Sequence, residues 1–141
     1  MDRVDVLNRL KEAVAEAGRI ALESFGHSRV VFEKTRASVA TDADLRVEKY
    51  LIDFLRRQFP DHGILAEETG EIDTQGDYVW IIDPIDGTRY YARGVPIYSI
   101  SVALKERGEL VLGVVRFPSF GETFSAAKGL GVWQNEYPIS C

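Results

Sequence analysis

The stretch that decides the fold is residues 78–88, which read YVWIIDPIDGT. Five residues suited to a buried strand run directly into two carboxylates, those of Asp83 and Asp86. The proline between these acids excludes a regular helix there, and Gly87 allows a backbone conformation that residues with a Cβ resist. We therefore predict a buried strand at residues 78–82, followed by a turn in which both carboxylates face one point.

Two amphipathic helices are expected before this strand. Apolar residues recur at steps of three and four over residues 3–24, with charged residues between them, which is typical of a helix with one buried face. A second helix is expected up to Phe59, with Thr41, Asp42 or Asp44 available to cap its first turn. We predict that the two helices are neighbours.

Shorter apolar runs bounded by turn residues predict further strands. These runs lie at residues 30–32, 64–66, 97–104, 110–117 and 122–127. Residues 34–38 are predicted to form a polar loop, and residues 106–109 a hairpin turn. Helices followed by consecutive strands predict one α+β domain over residues 1–141, in which two helices pack on an antiparallel sheet.

Composition and charge argue against several classes of protein. The chain has 141 residues and a net charge of −5 without a basic run, which argues against a nucleic-acid partner. No apolar run approaches the roughly 18 residues of a membrane span, and the N-terminus lacks the pattern of a signal peptide. We therefore expect a cytoplasmic protein without a membrane partner. The single cysteine, Cys141, provides neither a disulfide nor a cysteine-based metal site.

Carboxylates stand where predicted strands end. Glu67 and Glu68 follow one predicted strand, Asp83 and Asp86 follow another, and Asp44 lies at the start of the second helix. Carboxylates that converge repel one another and take up protons unless a cation lies between them. Oxygen ligands without histidine or cysteine favour Mg²⁺, and two such ions about 3.5–4 Å apart are the usual arrangement for in-line attack on phosphorus.

Each of these residues also has a purely structural explanation. Asp44 could simply cap the second helix, Glu68 could be a solvated loop charge, and Asp83 could be a turn former at a strand end. The Thr88 hydroxyl could orient an attacking water or form a simple turn. The backbone N–H groups of Gly87 and Thr88 could meet a phosphate. The sequence pattern alone leaves these alternatives open.

The sequence resembles the inositol monophosphatase family, whose members are lithium-sensitive, Mg²⁺-dependent phosphatases. The resemblance covers almost the whole chain, and its most specific part is DPIDGT within WIIDPIDGT at residues 80–88. It also rests on AEE at residues 66–68, TDAD at 41–44 followed by VEKYL at 47–51, GVVRFP at 113–118 and GLGVWQN at 129–135. The fold implied by the resemblance is the N-terminal half of an αβαβα sandwich.

The resemblance also implies which residues hold metal. Glu67, Asp83 and the carbonyl of Ile85 would hold one Mg²⁺, and Asp83 and Asp86 would share a second, in a site of two or three ions. Glu68 would lie close by in support of the site.

Catalytic and phosphate-binding roles follow from the same resemblance. Thr88 would activate the attacking water together with Asp44 and Glu67 as proton acceptors. Asp86 and the amides of Gly87 and Thr88 would contact the phosphate. The substrate would be a small phosphorylated polyol or sugar, and a homodimer is possible.

Two departures from the family bear on the substrate and on completeness. Residues 89–91 read RYY where members commonly have TNF. Members are also roughly twice as long, and a Trp-Asp motif in their C-terminal α/β half completes the second metal site; no such motif follows Asn135. We therefore expect the N-terminal half of such a phosphatase, cut from a longer protein or naturally short, with the C-terminal α/β domain absent.

The leading hypothesis is an Mg²⁺-dependent phosphomonoester hydrolase. Inositol monophosphate is the first candidate substrate, ahead of histidinol phosphate, fructose bisphosphate and nucleotide 3′-phosphates. The alternative is a catalytically incomplete metal-binding domain that assembles through an exposed sheet edge, with itself or with a missing C-terminal half. A third hypothesis, a structural domain with incidental acids, is disfavoured by the DPIDGT motif.

Overall fold

The chain folds as helices packed on one face of a large sheet. The computed structural model describes residues 1–27, 29–35 and 38–140. The helices are α1 (Arg3–Ser24), α2 (Asp42–Gln58) and α3 (Thr88–Ala92), and the strands are β1 (Val30–Thr35), β2 (Ser38–Thr41), β3 (Gly63–Ala66), β4 (Gly70–Ile72), β5 (Tyr78–Asp86), β6 (Ser99–Glu106), β7 (Glu109–Phe117), β8 (Glu122–Ala127), β9 (Gly131–Gln134) and β10 (Tyr137–Ile139). A single 3₁₀ turn, Pro118–Phe120, joins β7 to β8 in the described part.

Eight strands form one mixed, mostly antiparallel sheet, in the order β10-β9-β8-β7-β6-β5-β3-β4. The strands β1 and β2 pair separately as a two-stranded ribbon. The predicted α+β fold class is confirmed, and one pair departs from the antiparallel arrangement: β3 and β5 run parallel, with Ala66 opposite Ile82. The departure arises because β4 turns back along the outer edge of β3, so that the chain re-enters the sheet on the other side of β3 and in its direction.

Several predicted boundaries are corrected by the structure. β5 continues through Asp86 instead of ending at Ile82, and its pairing with β6 shifts register between Asp83 and Asp86. Pro84 has no N–H to give to the ladder, so the strand bulges where the two acids lie. The predicted loop at residues 34–38 is wrong for its ends, which belong to β1 and β2, and its two middle residues, 36 and 37, lie outside the described residues.

The helices α1 and α2 are neighbours, as predicted, and they cover the same face of the sheet. α1 lies over β6, β7 and β8, while α2 lies over β5. Both helices share one core with alternate residues of the central strands, which are Trp80, Ile82, Ile100, Val102, Leu104 and Val114. In the part of the chain that the structure describes, no helix is both long enough and apolar enough to cross a membrane.

Candidate functional site

The site lies at the edge of the sheet where β3 and β5 end. Because these strands are parallel and Ala66 stands opposite Ile82, the next residues along each strand, Glu67 and Asp83, become neighbours. Their carboxyl groups hydrogen-bond to each other. Asp83 is half-buried, and its Oδ1 atom is buried without a hydrogen-bond partner. Two acids that are 16 residues apart in sequence thus form one unit.

The surroundings of Asp83 disfavour a negative charge on its carboxyl group. Burial first, and then the hydrogen bond with Glu67 and the charges of Glu67, Asp86 and Asp44, together raise the pKa of Asp83 from 3.8 to about 7. Asp86 is itself exposed, at the far end of the register shift in β5. Burial and three neighbouring acids thus favour the protonated form of Asp83.

Asp44 is almost fully buried, with 1% of its surface exposed, and it uses its two oxygens differently. Oδ2 accepts hydrogen bonds from the backbone N–H of Thr41 at 2.9 Å and from its hydroxyl at 2.6 Å, which completes a capping box at the start of α2. Oδ1 lies 2.9 Å from the hydroxyl oxygen of Thr88. Burial raises the pKa of Asp44, and its hydrogen bonds partly oppose this. Asp44 thus caps α2 with one oxygen and contacts Thr88 with the other, and its role in a site stays a prediction.

The hydroxyl of Thr88 sits between two acceptors. It lies 2.9 Å from Asp44 Oδ1 and 2.8 Å from the carbonyl oxygen of Ile85. A hydroxyl carries one proton, so it donates to one of these acceptors at a time. The Ile85 side chain is buried, which leaves its carbonyl as the group that faces the site. The Thr88 hydroxyl thus contacts both the preceding turn, through the Ile85 carbonyl, and Asp44.

Gly87 is the N-cap residue of α3 and has a φ of 89°, in the left-handed region. A Cβ added here would lie 3.0 Å from the carbonyl oxygen of Ile97, which is a backbone atom that cannot swing away. Glycine is therefore required twice over, for its backbone conformation and for the space it leaves.

We expect Gly87→Ala to lower the free energy of unfolding by about 1–3 kcal/mol, because the left-handed conformation and the clash with Ile97 both oppose a Cβ. Urea denaturation followed by circular dichroism measures this. Gly94→Ala is the matched control, since Gly94 has a φ of 76° but open space around its Cβ position. Equal losses in the two variants would contradict a role for the Ile97 contact.

One buried acid was missed by the sequence reasoning. Glu48 is 1% exposed and accepts hydrogen bonds from the backbone N–H groups of Glu68 at 2.9 Å and Thr69 at 2.8 Å, and from the Thr69 hydroxyl at 2.6 Å. A signal was available, because Glu48 lies one helical turn after Asp44 and between the buried residues Val47 and Leu51. Glu68, predicted to support the site, is half-buried in the turn that Glu48 holds.

Comparison with known proteins places this arrangement in a family. A family model described as the inositol monophosphatase family matches residues 2–141. The chain belongs to the inositol monophosphatase family. The resemblance seen in the sequence motifs is thereby confirmed.

Relatives within the inositol monophosphatase family carry several names. The chain is 39% identical over 129 residues to a histidinol-phosphatase of Chlorobaculum parvum, covering 91% of this chain and 50% of the relative. It is 39% identical over 137 residues to the Nus factor SuhB of Xylella fastidiosa, covering 94% of this chain and 49% of the relative. A solved structure of Thermotoga maritima IMPase matches with a TM-score of 0.88 at 36% identity, covering 99% of this chain and 53% of that one. The chain spans about half the length of these relatives.

The donor set of this inositol monophosphatase family chain suits a hard divalent cation, because it consists of carboxylate and carbonyl oxygens. Among the residues that the structure describes, no three acidic, histidine or cysteine side chains converge closely enough to hold an ion as they stand. Glu67 and Asp83 are brought together, and Asp86 is exposed three residues further along β5. Asp83 Oδ1 has no hydrogen-bond partner and so offers an oxygen to an ion. The chemistry of the donor atoms therefore fits such an ion.

Proposed function

We propose that this chain forms the N-terminal, metal-binding half of an Mg²⁺-dependent phosphomonoester hydrolase, with inositol monophosphate as the leading substrate. The main support is the parallel pairing of β3 and β5, which joins Glu67 and Asp83 next to the Asp44–Thr88 pair. Relatives named histidinol-phosphatase and inositol-1-monophosphatase support a small phosphorylated alcohol as the substrate class, and inositol is the polyol among them. In this proposal, residues 1–141 form one α+β domain that a C-terminal half would complete.

Glu67, Asp83 and the Ile85 carbonyl would hold one ion in this site, and Asp83 and Asp86 would share another. Mg²⁺ bound there supplies charge that polarises water and the phosphate oxygens. Its positive charge would also offset the burial and the neighbouring negative charges that raise the pKa of Asp83, which supports a metal at this position. Glu68 would support the turn that carries Glu67.

Thr88 and Asp44 would form a proton path. The Thr88 hydroxyl would take a proton from the attacking water at Oγ1 while it passes its own proton to Asp44 Oδ1, 2.9 Å away. Burial raises the pKa of Asp44, which makes its carboxylate a better base. The phosphate would contact Asp86 and the amides of Gly87 and Thr88, which open α3.

We expect Mg²⁺-dependent phosphate release, and we expect it to disappear in Asp86→Asn, because this change removes one proposed ligand without altering side-chain volume. A colorimetric phosphate assay with inositol monophosphate, histidinol phosphate, fructose bisphosphate and a nucleotide 3′-phosphate measures both effects. Asp77→Asn is the control, since Asp77 is an exposed acid at the opposite end of β5. Activity that survives Asp86→Asn would count against the assignment.

A second candidate function is supported by the face of the sheet that α1 and α2 leave uncovered. A groove of about 350 Å³ runs along this face, lined by Ile81, Asp83, Ala103, Val115, Phe124 and Val132. Such an apolar groove suits a metal-binding domain that is catalytically incomplete and assembles with itself or with a C-terminal half. A monodisperse monomer in sedimentation analysis, or no Mg²⁺ binding at millimolar concentration, would count against this candidate. Lithium sensitivity, a homodimer, a cytoplasmic location and the lack of a nucleic-acid partner stay predictions.

A further inference from the structure

Helix α2 carries two buried acids that contact the two different loops of the site. Asp44 and Glu48 lie four residues apart, so they project from the same side of the helix. Asp44 contacts Thr88, which follows β5, and Glu48 contacts the turn that follows β3. One helix thus holds both of the loops from which the proposed metal ligands come.

Resting on the metal site proposed above, we propose that Glu48 is a positioning residue, which fixes the turn after β3 so that Glu67 meets Asp83. Glu48 does not touch the reacting groups. It acts through the backbone of the two residues that directly follow Glu67.

The contacts of Glu48 account for its burial. A buried carboxylate is costly unless hydrogen bonds replace its lost water, and an apolar side chain would pack against the core at lower cost. Here three donors meet the two oxygens: Glu68 N–H on Oε1, and the N–H and hydroxyl of Thr69 on Oε2. All three donors belong to the turn after β3. The hydrogen bonds of Glu48 therefore hold that turn and do not contribute to packing of the core.

This turn determines the direction of the Glu67 side chain. Glu67 is exposed and stands at the end of a strand of only four residues, Gly63–Ala66. Pairing of Ala66 with Gly70 closes the hairpin, and it leaves the residues between them to be held by other contacts. Glu48 supplies contacts to two of these residues. Without them we expect Glu67 to sample several directions and to meet Asp83 for only part of the time.

The test is Glu48→Gln in the 141-residue chain, with Mn²⁺ as the probe and its free concentration followed by electron paramagnetic resonance. Glutamine keeps the length of the side chain but replaces one acceptor oxygen with an NH₂ group, which repels at least one of the three donors. We expect the Kd for Mn²⁺ to rise about 10–100-fold, as for other changes to groups that orient ligands. We also expect faster amide hydrogen exchange at Glu68 and Thr69 without metal.

Two further variants separate positioning from a general structural role. In the Glu67→Gln background, Glu48→Gln should change the Kd less than about twofold, because the ligand through which it acts is gone. Asp53→Asn, an exposed acid on the same helix, should leave the Kd unchanged. Should Glu48→Gln unfold the chain, Thr69→Val removes one of the three donors at an exposed position and should still raise the Kd.

An unchanged Kd in Glu48→Gln or, if that variant unfolds, in Thr69→Val would overturn the positioning role while leaving the metal site intact. An equal rise in the Kd with and without Glu67 would also overturn it, since Glu48 would then act on the fold as a whole. A wild-type chain that binds no Mn²⁺ would overturn the proposed function itself, and the positioning role with it. These three results are distinguishable.

Discussion

Replacing Asp83 with asparagine is expected to abolish the rise in thermal unfolding midpoint that Mg²⁺ produces in the wild-type chain. An ion that binds only the folded state stabilises it by about 2.7 kcal/mol at a concentration 100 times its Kd. Asp83 is the residue proposed to touch both ions, and its Oδ1 atom has no other partner. Differential scanning calorimetry with and without millimolar Mg²⁺ measures the effect.

In metal-free buffer, by contrast, Asp83→Asn should stabilise the folded chain at high pH. The folded state raises the pKa of Asp83 from 3.8 to about 7. The stability contributed by its proton is therefore fully present below the ordinary pKa and is lost as the pH rises through about 7. Asparagine has no acidic proton to lose and therefore stays uncharged in the site. Above pH 7 we expect Asp83→Asn to be more stable than the wild type by about 1–2 kcal/mol, a figure reduced for partial solvent exposure.

The response to Mg²⁺ and the metal-free stability of Asp83→Asn can be tested independently. Asp77→Asn is the control, because its carboxylate is exposed and makes only a surface ion pair with Arg107. It should change neither the response to Mg²⁺ nor the pH dependence. Retained stabilisation by Mg²⁺ in Asp83→Asn would contradict the ligand assignment, and a loss of metal-free stability above pH 7 would contradict the electrostatic explanation.

Trp80→Ala is expected to lower the free energy of unfolding by about 3–5 kcal/mol, through lost burial and the cavity left behind. Trp80 is fully buried, and its ring centroid lies 5.2 Å from that of Phe59 at the end of α2. Its Nε1–H donates to His62 Nδ1 at 3.0 Å. The residue thus joins α2 to the strand that leads into the site. Urea denaturation followed by circular dichroism measures the loss.

Two comparisons make the Trp80 prediction specific. Trp80→Phe keeps most of the apolar contact but leaves His62 Nδ1 without its donor, so we expect a smaller loss, of about 1–2 kcal/mol. Trp133→Ala changes the other tryptophan, which is only partly buried in β9, and should also cost less. A loss below about 1 kcal/mol in Trp80→Ala would contradict the central position of this side chain in the core.

The sequence could predict those helices and strands whose apolar residues form a clear run or a regular spacing. Residues 78–82 read as a strand because five suitable residues stand together, and α1 reads as a helix because its apolar spacing persists over six turns. β4 and β10 have only three residues each and little burial, so they left no pattern to detect. The parallel direction of β3 and β5 was hidden too, because alternation along a strand does not reveal which way its neighbour runs.

The candidate site was predictable to a similar extent. Glu67, Asp83, Asp44 and Thr88 were found from their places at strand and helix ends, and the structure brings them together in pairs. Their metal-binding and catalytic roles stay predictions. Glu48 was missed because a charged residue in a helix usually faces water, and only its position on the buried side of α2 distinguishes it.

The parallel pairing of β3 and β5 has a consequence for how the fold can be monitored. Ala66 faces Ile82, so a slip of one residue would place Ile82 or Pro84 next to Glu67 and turn Asp83 to the other face of the sheet. Such a misaligned chain could keep its secondary structure, but it would lack the acid pair and would also turn Trp80 and Ile82 away from the core. Affinity for a divalent ion would then report whether β5 is correctly aligned with β3, which far-UV circular dichroism would not detect.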